Sequence, residues 1–208
     1  MAHDTRLIDV VTDDGVTLEA ELAVPDDPWL CAVVCHPHPQ HGGDMHAPVN
    51  AAIFAHLVES GAAALRFNFR GVGRSEGTFD HGRGERLDLT ASIDHLIAAT
   101  PEVPLLVAGW SFGAEIASTV DHPAIDGWFL VAAPMASVPA DEVILGSSGR
   151  PKLLLVPEHD QFLSPESVAE LVAGWPATTV EVVAGADHFL AGRQDDVCRL
   201  LDDFADTL

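Results

Sequence analysis

The chain has 208 residues, 48% of them hydrophobic and 20% charged, which suits one domain over residues 1–208 and argues against a disordered chain. Its 32 acidic residues against 10 basic ones give a formal charge of −22, so neither nucleic acid nor an anionic membrane is expected as a partner. No apolar run approaches the roughly 18 residues of a membrane span, and the N-terminus lacks the basic start and apolar stretch of a signal peptide, so a cytoplasmic protein is expected.

Lys152 is the only lysine, and the acid-rich, alanine-rich composition is similar to that of proteins from salt-loving cells. At about 1 M salt the Debye length is about 3 Å, and the self-repulsion of such a surface largely vanishes. Cys31, Cys35 and Cys198 are an odd count without regular spacing, which excludes a disulfide framework. Cys31 and Cys35 lie in an apolar segment and read as buried strand residues; with no second pair they do not read as a metal site.

Residues 6–12 and 16–24 alternate apolar and polar around Asp13-Asp14-Gly15, which predicts a β-hairpin. Residues 30–35 are continuously apolar, as in a strand buried on both faces. A helix follows over 49–59, a strand over 62–68 and a helix over 84–99. Then come a strand over 104–108, a helix over 114–120, and strands over 128–132 and 152–156. A helix over 165–175, a strand over 179–183 and an amphipathic helix over 195–207 complete the chain. Strands alternating with helices predict a parallel sheet covered on both faces, with its site beyond the carboxyl ends of the strands.

Gly109-Trp110-Ser111-Phe112-Gly113 stands between a predicted strand and a predicted helix. This is the G-x-S-x-G elbow in the strand–turn–helix setting that gives it meaning, with Ser111 as candidate nucleophile. A serine hydroxyl needs a base. His188, in the loop between the last strand and the last helix, is the candidate, and Asp160, just after the strand over 152–156, is the carboxylate to orient it. Glu158 is a rival acid; Asp187, next to His188 in sequence, is poorly placed to reach the ring. The order Ser…Asp…His is that of α/β-hydrolases.

The segment from Cys35 to His46 holds His36, His38, His41, His46 and Asp44, which invites a metal reading. Two prolines stiffen it, and the helical histidine spacing of zinc proteases is absent, so no metal and no cofactor is expected. As the turn after a central strand it suits half of an oxyanion hole. Pro39 has no N–H, which leaves the backbone of His38, with Phe112 as the second donor and Gln40 as the weaker candidate. The stretch from Arg70 to Gly77 is glycine-rich but lacks the lysine and spacing of a phosphate-binding loop, and reads as a turn beside the site.

His36-Pro37-His38-Pro39 with Gly42-Gly43, the Arg70–Gly77 stretch and the Ser111 pentapeptide together resemble the α/β-hydrolase superfamily. Within it they are similar to small predicted hydrolases related to the dienelactone-hydrolase-like and acylpeptidase-like groups. The resemblance spans essentially the whole chain. It implies about eight strands, mostly parallel with the second antiparallel, helices on both faces, and a serine mechanism, without specifying a substrate; a small-molecule acyl substrate, an ester or thioester, is expected because no lid domain is present. Many relatives insert a lid where residues 133–150 form only a short connection here, so an open site without a lid domain is expected. Trp110, Met135 and Phe162 are candidate walls of the acyl site. A non-catalytic binding module of the same fold is the alternative from another class, and a metal-dependent enzyme using the His36–His46 loop is the lesser one.

Overall fold

The hairpin forms as β1 (Arg6–Val11) against β2 (Thr17–Ala23), antiparallel, with Val11 opposite Thr17. Thr12 closes its turn: Oγ1 accepts a hydrogen bond from the Val16 N–H at 2.9 Å. The computed structural model describes residues 5–135 and 138–208. Beyond the hairpin, β3 (Cys31–Cys35), β4 (Ala63–Phe67), β5 (Leu105–Trp110), β6 (Ile125–Val131), β7 (Lys152–His159) and β8 (Thr178–Asp187) alternate with helices. The helices are α1 (Pro48–Glu59), α2 (Gly84–Ala99), α3 (Phe112–Ala117), α4 (Pro165–Leu171) and α5 (Gln194–Ala205). The strands form an eight-stranded sheet in the order β1-β2-β4-β3-β5-β6-β7-β8, with β2 antiparallel to both its neighbours and β3 to β8 parallel.

The continuous apolar runs are explained by how the pleat divides them. Successive side chains of a strand point to opposite faces, so a strand covered on both sides feeds two cores. Cys31, Val33, Leu65, Val107, Leu130 and Leu154 join one core with Leu89 and Ile93 of α2 and Ile116 of α3. Ala32, Val34, Leu106, Ala108, Phe129 and Leu155 join the other with Ile53 of α1 and Val197 and Leu201 of α5. Cys31 and Cys35 are buried free thiols, and burial pushes the Cys31 thiol up to about 11 and Cys35 higher still.

Helices α3 and α4 end before their periodicity predicts. In α3, the Ser118 Oγ donates to the Glu115 carbonyl at 2.6 Å and the Thr119 Oγ1 to the Ile116 carbonyl at 2.8 Å, so side chains take the acceptors that further helical turns would use. In α4, the chain turns at Gly174, whose φ of 89° is left-handed. The connection from β6 to β7 contains, among its described residues, one helical turn, Ala140–Glu142. Among the described residues no helix is long and apolar enough to cross a membrane.

Candidate active site

Strand β5 runs through Trp110 and α3 begins at Phe112, so Ser111 alone makes the turn, at φ 54° and ψ −118°. That backbone costs an L-residue about 1–3 kcal/mol and persists only where its surroundings impose it. Here the Ser111 N–H donates to the Val131 carbonyl at 2.9 Å, and the Ser111 carbonyl accepts from the Glu115 N–H at 3.1 Å. The flanking glycines are steric requirements. A Cβ on Gly109 would lie 2.6 Å from the Ala114 nitrogen, and one on Gly113 would lie 2.2 Å from the Cys35 carbonyl oxygen.

Strand β8 delivers His188 directly after Asp187, and β7 delivers Asp160 directly after His159. The His188 Nε2 lies 2.9 Å from the Ser111 Oγ, and its Nδ1 lies 2.9 Å from the Asp160 Oδ2. A carboxylate can only accept, so Nδ1 carries the proton and the Nε2 lone pair faces the serine hydroxyl. The His188 and Asp160 side chains are only 6% and 4% exposed, which limits solvent screening. The other Asp160 oxygen accepts from the Phe162 N–H at 2.8 Å. Glu158 is engaged elsewhere: its Oε2 accepts from the Gly185 N–H at 2.6 Å. Asp187 accepts from the Phe189 N–H at 3.1 Å.

The loop after β3 is held by His36, which is fully buried. Its Nε2 accepts from the Phe69 N–H at 3.0 Å, so Nδ1 is protonated and donates to the Pro37 carbonyl at 2.6 Å. Burial lowers its pKa to about 4, keeping the ring neutral near neutral pH. Asn68 adds a second tie, accepting from the Met45 N–H at 2.8 Å. The Gln40 N–H donates to the His38 Nδ1 at 3.2 Å and is thereby occupied. The backbone N–H groups of His38 and Phe112 have no acceptor among the described residues. For Phe112 this follows from its place at the first helical position. Among the described residues no group of three or more His, Cys, Asp or Glu is arranged to hold a metal ion.

A cavity of about 330 Å³ opens at Ser111, walled by His38, His41, Phe112, Pro134 and Phe162. Phe162 stands at its mouth, 60% exposed, with its ring edge-on to His188 at 4.5 Å. Trp110 is not part of this wall. It is buried in the α1–α5 core, and its Nε1 donates to the His188 carbonyl at 3.2 Å. Met135 packs against the opposite core, also off this wall. Besides the supporting role of His36, two further features were not legible in the sequence. Glu115, one turn after the elbow, is a buried acid that lines the cavity. Arg70 is a buried cation held by Asp88 and Asp14 at 2.7 and 2.9 Å, a strut beneath the glycine-rich turn.

A family model described as serine aminopeptidase S33 (Hydrolase_4) matches residues 38–147, just over half of the chain. An uncharacterized protein from Rickettsia prowazekii is 32% identical over 187 residues, covering 85% of this chain and 79% of its own. The chain belongs to this family. Solved structures agree on its superfamily, the α/β hydrolases. An α/β serine hydrolase homologue from Coxiella burnetii is 31% identical with a TM-score of 0.83, covering 97% of this chain and 96% of its own. An α/β serine hydrolase without a lid, from Xanthomonas campestris, is 26% identical with a TM-score of 0.84, covering 98% and 94%. Family and neighbours together support hydrolase activity for this chain.

Proposed function

We propose that this α/β hydrolase cleaves a small carboxylic ester or thioester through an acyl-enzyme on Ser111, as one domain that needs no cofactor. The observation that carries the reading is the position of His188, with one ring nitrogen on the Ser111 Oγ and the other on the Asp160 carboxylate, each at 2.9 Å. In the first half-reaction the Ser111 Oγ bonds to the substrate carbonyl carbon as its proton passes to the His188 Nε2. The Asp160 carboxylate stabilises the resulting imidazolium. Backbone N–H groups of Phe112 and His38 receive the oxyanion. The tetrahedral centre collapses, the bond to the alkoxide or thiolate breaks, and His188 returns the proton to that leaving group. In the second half, water gives a proton to His188 and its oxygen bonds to the acyl carbon. Ser111 then leaves as the hydroxyl, and the acid is released.

The cavity of about 330 Å³ at Ser111 and the short β6–β7 connection favour a small acyl group reached from open solvent. The test is presteady-state hydrolysis of 4-nitrophenyl acetate. A nitrophenol burst matching the enzyme concentration is expected, absent in Ser111→Ala and unaffected by a chelator. A folded protein with no turnover of short esters or thioesters would favour the binding module instead, and chelator-sensitive turnover would favour a metal enzyme.

A further inference from the structure

A second groove of about 330 Å³ adjoins the Ser111 cavity and shares His38, Phe112 and Glu115 with it. His38 and Phe112 are the two oxyanion donors of the reading above, on which this inference rests. Because His188 must protonate the leaving group, the leaving group lies on the His188 side of the scissile carbonyl. The acyl chain therefore runs the other way, past His38 and Phe112 and into the second groove. Its walls include the apolar Phe79, Phe112 and Ile116 and the cationic Arg83 and Arg86.

The charges in this groove are unusual for so acidic a molecule. Among the described residues, every lysine and arginine except Arg6 and Arg83 is bonded to a carboxylate or, for Lys152, to backbone carbonyls. Arg6 lies on the β1 edge strand, remote from the site in strand order. Arg83 lines the groove. It sits in a loop pinned by Glu85, which accepts from the Asp80 and Gly82 N–H groups at 2.8 Å each. Arg86 answers Glu142, so that carboxylate is neutralised, and the Arg86 Nε is buried without a hydrogen-bond partner. Glu115 is buried where the two cavities meet.

We infer that the acyl group is a short apolar chain ending in a carboxylate, a monoester or monothioester of a dicarboxylic acid, with Arg83 binding the free carboxylate. The preference is a matter of one exposed ion pair, so its size is modest and salt erodes it. The experiment compares kcat/KM for mono-4-nitrophenyl glutarate and 4-nitrophenyl pentanoate, esters of equal acyl length. In dilute buffer the wild-type ratio should favour the glutarate. Arg83→Gln should lower that ratio about fivefold, Arg83→Lys should recover part of it, and the remote Arg6→Gln, with the same charge change, should leave it in place. A ratio unaltered by Arg83→Gln, or lowered equally by Arg6→Gln, overturns the assignment. Loss of activity on both esters in the wild-type protein would instead overturn the hydrolase reading beneath it.

Discussion

Asp160→Asn keeps the shape of the side chain and removes its charge. In the native site the Asp160 Oδ2 accepts from the His188 Nδ1–H, and the Oδ1 accepts from the Phe162 N–H at 2.8 Å. An asparagine that keeps its oxygen on Phe162 turns its NH₂ toward Nδ1. His188 must then accept at Nδ1 and carry its proton on Nε2, where no lone pair remains for the Ser111 proton, 2.9 Å away. Inverting the tautomer in this way costs about 10⁴-fold in kcat in the well-studied serine protease triad. With both side chains under 10% exposed, solvent can do little to rescue the ring here. A fall of about 10³- to 10⁴-fold in kcat is expected, about 4–5.5 kcal/mol of transition-state stabilisation. Glu158→Gln alters the tie to Gly185 and the exposed pairing with His159, neither of which touches His188, and should stay within about twofold. The assay is steady-state hydrolysis of a 4-nitrophenyl ester, with circular dichroism to establish folding. A loss under tenfold in Asp160→Asn, or an equal loss in Glu158→Gln, would refute the assignment of Asp160 as the orienting acid.

Arg70→Met strands Asp88, whose side chain is fully buried, and should lower unfolding free energy in urea by about 3–5 kcal/mol. His36 is held neutral, with its pKa lowered from 6.5 to about 4, so the unfolded chain binds this proton first as the pH falls. Its contribution is present above pH 6.5 and is lost progressively down to about pH 4, by up to about 3 kcal/mol; His36→Gln should flatten that part of the urea-midpoint profile. With a charge of −22, the melting temperature should rise between dilute buffer and about 1 M KCl; a melting temperature that falls would contradict the salt-adapted reading.

The fold was legible because its signals are local and agree with one another. The unbroken apolar run around Val33 announces a strand covered on both faces, and the Asp13-Asp14-Gly15 turn announces a hairpin. Ser111 was legible because a strand-to-helix turn flanked by glycines has a steric reason, visible here in the approach of Gly113 to the Cys35 carbonyl. The choice between Asp160 and Glu158 was less legible. Both follow the apolar core of β7 and differ only in where two further residues carry the chain. His36 and Arg70 were missed as functional supports because their meaning lies in long-range partners. His36 bonds Phe69, 33 positions on, and Arg70 bonds Asp14, 56 positions back. Trp110 was a candidate acyl wall, yet as the last residue of β5 it turns its ring into the α1–α5 core, while Ser111 lies in the turn beyond the strand.

The most direct measurement is labelling with a fluorophosphonate probe followed by peptide mapping, on wild type, Ser111→Ala and His188→Ala. A single adduct on Ser111 is expected in the wild-type protein, none in Ser111→Ala and a strongly slowed reaction in His188→Ala. A folded wild-type protein that takes no label, or takes it at another residue, would contradict the account.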